Sequence, residues 1–205
     1  MDKAQIVHIV DDDAAIRDSL SILLKTSGLN PVTYPDAQAF LKHYDPTKSG
    51  CLVLDIHMPV MSGLNLQDEL LAVGTTLTII FITGHADVES AVQALKAGAF
   101  DFLQKPFDNT ELLALIKQAL EKDRKNRAAL VKQKHIRDRL QTLTPREKEV
   151  LDHIVDAKAT KVIAIEMTLS QRTIEIYRAN IMQKMQCRST AQLVRTISEF
   201  NSTTI

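Results

Sequence analysis

The chain has 205 residues, enough for one or two domains of about 100–200 residues each. Its 25 Lys and Arg balance 25 Asp and Glu. Taken as a whole, that balance excludes a uniformly basic nucleic-acid coat and a polybasic membrane binder. At 45% apolar and 24% charged residues the composition is that of a globular protein, neither disordered nor fibrous.

In chain order, the first apolar run is Ile6 to Val10, which ends in three carboxylates, Asp11, Asp12 and Asp13. This is a strand rather than a signal peptide. No run approaches the ~18–20 apolar residues of a membrane span, so the expectation is a cytoplasmic protein without a membrane partner. Cys51 and Cys187 fall one in each half and neither sits in a CxxC, which suits reduced thiols. Residues 13–27 carry Ile16, Leu20, Leu23 and Leu24 at helical spacing, with Gly28 as the stop. Pro31 to Tyr34 is a weaker strand of edge type. Cys51 to Leu54, Leu77 to Ile82 and Phe100 to Leu103 are further strands, with helical stretches near 36–45, 63–73 and 86–97 between them. Asp108-x-x-Glu111 opens another helix through Leu112, Leu115, Ile116 and Leu120. Five strands alternating with five helices predict a doubly wound, five-stranded parallel sheet covered on both faces.

The second half reads differently. All six Gly lie within the first hundred residues, and Pro145 is the last Pro. Residues 123–141 are rich in Lys, Arg, Gln and Ala and read as a solvated helical linker. It is either one continuous helix or one broken near Lys125–Asn126. Residues 142–205 split into four helices near 145–156, 160–167, 171–185 and 190–200, with Ser170 and Ser189 as caps of the last two. The expected domains are therefore 1–122, a linker over 123–141, and 142–205.

Open parallel sheets place their chemistry at the carboxyl ends of their strands. Here that rule delivers Asp11, Asp12 and Asp13, then Asp55, then Thr83, then Lys105 before Pro106. Clustered carboxylates repel one another unless a cation joins them. A hard divalent ion such as Mg²⁺, or Mn²⁺ in its place, suits all-oxygen ligands. Lys105 offers a positive charge to a phosphoryl oxygen and Thr83 a hydroxyl. Asp55 is then placed as a nucleophile on phosphorus.

The segments Val10-Asp-Asp12, Leu54-Asp-Ile-His-Met-Pro-Val-Met-Ser-Gly63, Phe81-Ile-Thr83 and Gln104-Lys-Pro-Phe107 make residues 1–122 resemble a response-regulator receiver domain. The resemblance implies that Asp55 is the phosphoacceptor. It implies that Asp12, Asp55 and the His57 backbone carbonyl bind the metal, with Asp11 acting mainly through water. Thr83 and Lys105 would hold the phosphoryl group. Phe102 matches the aromatic that swings inward with the Thr; the alternative is an ordinary core Phe. The rings of His8, His57 and His85 read as ordinary side chains. A phosphatase that turns over on Asp55 is a rival, but the sequence offers no second acid for a leaving group. An interaction module that is never phosphorylated is the other rival, and the complete acidic set speaks against it.

The neutral total hides a split. Residues 123–205 hold 16 Lys and Arg against 9 Asp and Glu, and residues 1–122 hold 9 against 16. A basic helical segment is a candidate for DNA. Leu143-Thr-Pro-Arg-Glu-x-Glu-Val-Leu151, Lys161-Val-Ile-Ala164, Leu169-Ser170 and Thr173 to Met185 resemble the LuxR-type helix-turn-helix, and the combination resembles the NarL/FixJ class, nearest FixJ-type regulators. By that resemblance residues 171–185 form the recognition helix, with Glu175, Ile176 and Ala179 facing bases. Lys161, Arg172, Thr173 and Arg178 would contact phosphates. Glu175 can accept from a cytosine amino group or orient Arg172 or Arg178; both stay open. The implied function is a phosphorylation-dependent transcriptional regulator, not an enzyme. Its implied partners are a sensor histidine kinase, promoter DNA, RNA polymerase and, once phosphorylated, a second copy of itself. Where the family usually has Gly after the first helix of this domain, the chain has Ala157. Ala disfavours a left-handed cap, so that turn is expected to run differently.

Overall fold

The computed structural model describes residues 5–84 and 88–202. The chain forms two compact units, 1–128 and 129–205. No helix among the described residues is long and apolar enough to cross a membrane.

In the first unit the strands are β1 (Ile6–Val10), β2 (Asn30–Tyr34), β3 (Gly50–Asp55), β4 (Thr78–Thr83) and β5 (Asp101–Gln104). They pair in parallel in the order β2-β1-β3-β4-β5. The helices are α1 (Ala14–Thr26), α2 (Ala37–His43), α3 (Gly63–Ala72), α4 (Val88–Lys96) and α5 (Asn109–Gln141), the last running on into the second unit. Burial along β3 and β4 is continuous, as covering a sheet on both faces demands. Successive residues serve opposite faces. Leu52 and Leu54 join Phe40, Leu66 and Leu70 on one side. Cys51 and Val53 join Leu20, Leu24, Leu112 and Ile116 on the other. The fully enclosed Cys51 thiol is pushed up by burial and then by the nearby Asp123 charge, which keeps it protonated.

Helix α5 is unbroken through 123–141. Asp123 is completely buried and accepts from Ser49 Oγ at 2.5 Å and from the Gly50 backbone N–H at 3.0 Å. Arg127, one turn on, closes this carboxylate with two 3.0 Å contacts and donates to the Pro46 carbonyl at 2.9 Å.

The second unit holds the end of α5 and α6 (Pro145–Val155), α7 (Thr160–Glu166), α8 (Gln171–Met185) and α9 (Thr190–Ser202). Its core comprises Ile136, Val150, Ile163, Ile174, Ile181 and Leu193 among others. Thr144 and Glu147 form a reciprocal capping box around Pro145 at the first helical position. Glu147 is buried and also receives Lys184 Nζ from α8 at 2.6 Å. Arg139 of α5 donates to the Met185 carbonyl at 3.3 Å and to Gln186 Oε1 at 2.6 Å, closing the end of α8. Ser170 and Ser189 cap α8 and α9 as expected, accepting from Thr173 N–H at 3.0 Å and Gln192 N–H at 3.2 Å.

The turn after α6 corrects the expectation for Ala157. It keeps the left-handed geometry, with φ 57°. Ala157 N–H bonds the Ile154 carbonyl and Lys158 N–H bonds the His153 carbonyl, the paired pattern of a Schellman stop. Two satisfied carbonyls hold the turn against the steric cost of a Cβ.

Candidate functional site

The first constellation lies where the parallel strands end. β1 delivers Asp11, which is buried, and Asp12, which is exposed. β3 delivers the buried Asp55, β4 the buried Thr83, and β5 leads through Gln104 to Lys105. One oxygen each of Asp11, Asp12 and Asp55 lie within 4.8 Å of one another, among the described residues a donor set for a cation. Lys105 Nζ sits 2.7 Å from Asp11 Oδ2 and 3.1 Å from Asp55 Oδ1, so a single ammonium bridges two of the three acids. Asp11 is further fixed: its Oδ1 accepts from Asp13 N–H at 2.9 Å, and its backbone carbonyl accepts from Arg17 at 2.8 Å. Asp13 turns away to cap α1 through Ala15 N–H.

Burial raises the Asp55 carboxyl above its ordinary value. The charge and hydrogen bond of Lys105 pull it down, while Asp11 and Asp12 push it up. Lys105 is raised as well, because its bond to Asp11 and the neighbouring carboxylates outweigh the desolvation that opposes them. An acid held this way is stabilised as an anion by added positive charge at the cluster. The hard, all-oxygen donors fit a divalent ion such as Mg²⁺. His57 is exposed just past β3.

Two backbone features shape the approach to Asp55. A Cβ on Gly63 would run into the Asp55 carbonyl oxygen, and Gly63 N–H donates to the Ile56 carbonyl at 2.9 Å. Val60 holds φ 68° and is 92% exposed, a β-branched residue in the left-handed region on the loop that leaves the acceptor. Phe102 is 37% exposed on β5 rather than enclosed in the core. His85 lies outside the described residues. His8 is buried against Tyr34, Phe40 and Tyr44 with a 3.1 Å bond to the Tyr34 hydroxyl, an ordinary structural role away from the acids.

The second constellation is on α7 and α8. Lys161, Arg172, Glu175, Ile176 and Ala179 are exposed, while Thr173 and Arg178 are partly buried. The Thr173 hydroxyl lies 2.8 Å from Ser170 Oγ, inside the cap. Arg178 donates to Thr190 Oγ1 at 3.2 Å. Among the described residues Glu175 makes no ion pair with Arg172 or Arg178, which leaves its carboxylate open to an external donor. Sequence reasoning missed the Glu147–Lys184 tie that fixes α8 to α6. The Thr144-x-x-Glu147 spacing ahead of an apolar run was the available signal for half of it.

Residues 7–117 match the response regulator receiver domain, and residues 141–197 match the bacterial regulatory proteins of the luxR family. The chain belongs to the response regulators: a receiver joined to a LuxR-type DNA-binding domain. It is a DNA-binding transcriptional regulator controlled by phosphorylation. It is 42% identical over 189 residues to the transcriptional regulatory protein FixJ of Azorhizobium caulinodans, spanning 92% of this chain and 90% of that one. It is 39% identical over 194 residues to the response regulator TodT of Pseudomonas putida, spanning 95% and 86%. Among solved structures, the response regulator StyR superposes with a TM-score of 0.88 at 40% identity, covering 96% of this chain and all of that one. Full-length FixJ from B. japonicum gives a TM-score of 0.60 at 39% identity, covering 97% and 98%.

Proposed function

We propose that Asp55 is the phosphoacceptor and that its phosphorylation by a sensor histidine kinase drives promoter binding by α8. The observation that carries this is the Lys105 ammonium bridging Asp11 and Asp55 at the carboxyl edge of the sheet. An Asp55 oxygen attacks the phosphorus of a phosphohistidine, the P–N bond breaks, and its electron pair stays on the kinase imidazole. Asp11, Asp12, Asp55 and the His57 carbonyl would hold Mg²⁺, or Mn²⁺ in its place. When bound, such an ion supplies positive charge for the phosphoryl oxygens. Lys105 and the Thr83 hydroxyl take the same oxygens once the acyl phosphate has formed. Thr83 and the half-exposed Phe102 are then the switch. The receiver acts only on its own acquisition and loss of phosphate.

Phosphorylation favours a homodimer, which sets two recognition helices on two half-sites and recruits RNA polymerase as an activator. Lys161, Arg172, Thr173 and Arg178 contact phosphates; Glu175, Ile176 and Ala179 face bases. That Glu175 makes no ion pair among the described residues supports the cytosine-amino reading over the orienting one. We place the receiver at 1–122, the DNA-binding domain at 142–205 and the helical connection at 123–141, in a cytoplasmic protein. Transfer of label from a small phosphodonor in the presence of Mg²⁺ tests the site. The wild type should take up acid-stable, base-labile label that Asp55→Asn abolishes and chelation prevents. Undiminished labelling of Asp55→Asn would move the acceptor elsewhere.

A further inference from the structure

The exposed face of α8 narrows the kind of base it meets. Ile174, Ile181 and Met185 are buried and set the inward stripe. At about 100° per residue, Arg172, Ile176, Ala179 and Gln183 fall on the opposite stripe, and all four are exposed. Three of these suit a hydrated surface. Ile176 does not: it is a β-branched apolar side chain left 54% exposed at the middle of the stripe. One turn on, Ala179 carries only a methyl, so an opposing surface can approach Ile176 closely. The flanking cation at Arg172, and Lys161 on α7, suit a polyanion rather than another apolar surface.

Of the groups displayed in the major groove, only the thymine C5-methyl is apolar. Resting on the proposed placement of α8 in that groove, we infer that Ile176 packs on a thymine methyl, with Ala179 as the clearance beside it. Each recognised half-site therefore carries a fixed thymine, read by apolar contact rather than by a hydrogen bond. The neighbouring Glu175 adds to the selection. A carboxylate is repelled by the acceptor-rich guanine edge, so guanine is disfavoured on its side of the methyl.

The test uses the full, phosphorylated chain. A preferred duplex is first selected from a random pool, and each thymine in it is then replaced singly by deoxyuridine, which removes the methyl and nothing else. Burying one methyl is worth about a fourfold change in affinity. At one thymine per half-site, the wild type should lose about fourfold on conversion to uracil. Ile176→Ala should bind the parent duplex a few-fold more weakly and should not distinguish thymine from uracil there. Ile176→Val should keep the distinction. Indifference of the wild type to uracil at every position would overturn the inference, as would full discrimination by Ile176→Ala. If Ile176→Ala instead left DNA affinity unchanged and weakened self-association, the residue would belong to a protein interface and the inference would fall. Failure to enrich any sequence would overturn the DNA-binding reading of α8 itself, a different result from enrichment without a methyl effect.

Discussion

The two units end their helices by the same device and build it from different residues. In the receiver unit, α1, α3 and α4 each stop on a left-handed residue, and the residues are Gly28, Gly74 and Gly98, with φ 77°, 69° and 95°. In the DNA-binding unit, α6, α7 and α8 stop on Ala157, Thr168 and Gln186, with φ 57°, 56° and 55°. The hydrogen bonds are of one kind. Gly28 and Leu29 donate to the Lys25 and Leu24 carbonyls; Thr168 and Leu169 donate to the Ile165 and Ala164 carbonyls. Left-handed geometry is therefore set by the paired carbonyls and the packing behind them. Glycine lowers its cost without being required for it. The second unit holds three such turns with side chains, each at a cost of about 1 kcal/mol.

That comparison can be broken at its strongest tie first. Glu147→Ala strips Lys184 and the Thr144 N–H of their shared acceptor and leaves a partly buried cation unpaired. The DNA-binding unit should lose about 2–3 kcal/mol. Segment-resolved hydrogen exchange should show α6 and α8 opening together while the receiver strands keep their protection. By contrast, removing the exposed Arg146–Glu149 pair beside it should leave the unit's stability nearly unchanged, because solvent screens both charges.

Acid should separate the units as well. Burial, aided by the Lys48 charge, pushes His8 down to about 4 from the usual 6.5. The unfolded chain gains a proton as pH falls through 6.5, and the folded receiver does not until about 4. Receiver stability should therefore fall by about 3 kcal/mol across that window. His8→Phe should flatten that slope. Glu147 runs in another range. Its bonds to Lys184 and Thr144 hold it below the usual carboxylate value, so its contribution is present above about pH 4.5 and is lost only below. Between pH 7 and 5 the receiver should soften while the DNA-binding unit does not; denaturant melts at the two pH values would read this.

The turns themselves give the smallest effects, with opposite signs. A Cβ on Gly28 meets nothing within 4 Å, so Gly28→Ala isolates the backbone cost and should destabilise the receiver by about 1 kcal/mol. Thr168→Gly should stabilise the second unit by about 0.5–1 kcal/mol, and Ala157→Gly by about 0.5 kcal/mol, after the entropy that Gly adds to the unfolded chain. Loss of stability in both second-unit variants would mean that their side chains contribute more than their strain.

The same difference explains what could be read from the sequence. Gly28 and the alternating apolar runs mark the receiver's strands and helices, and the strand-end rule alone gathers Asp11, Asp12, Asp55, Thr83 and Lys105. In the second unit the stops carry no glycine, so Ala157 read as a departure although the turn is intact. Distant pairings stayed hidden for a simpler reason. Asp123 meets Ser49 and Gly50 across more than seventy residues, and Lys184 meets Glu147 across 37, spacings with no local periodicity to betray them. Ile176 and Glu175 were visible as residue types. That Glu175 makes no ion pair among the described residues needed the structure.

The central claim joins the two units: phosphate on Asp55 is read out as DNA affinity. The direct measurement is the affinity of the intact chain for its selected duplex before and after treatment with a small phosphodonor and Mg²⁺, at one fixed salt concentration. The account predicts at least a tenfold gain for the wild type and none for Asp55→Asn. Equal affinity before and after, with stoichiometric phosphorylation verified, would contradict it.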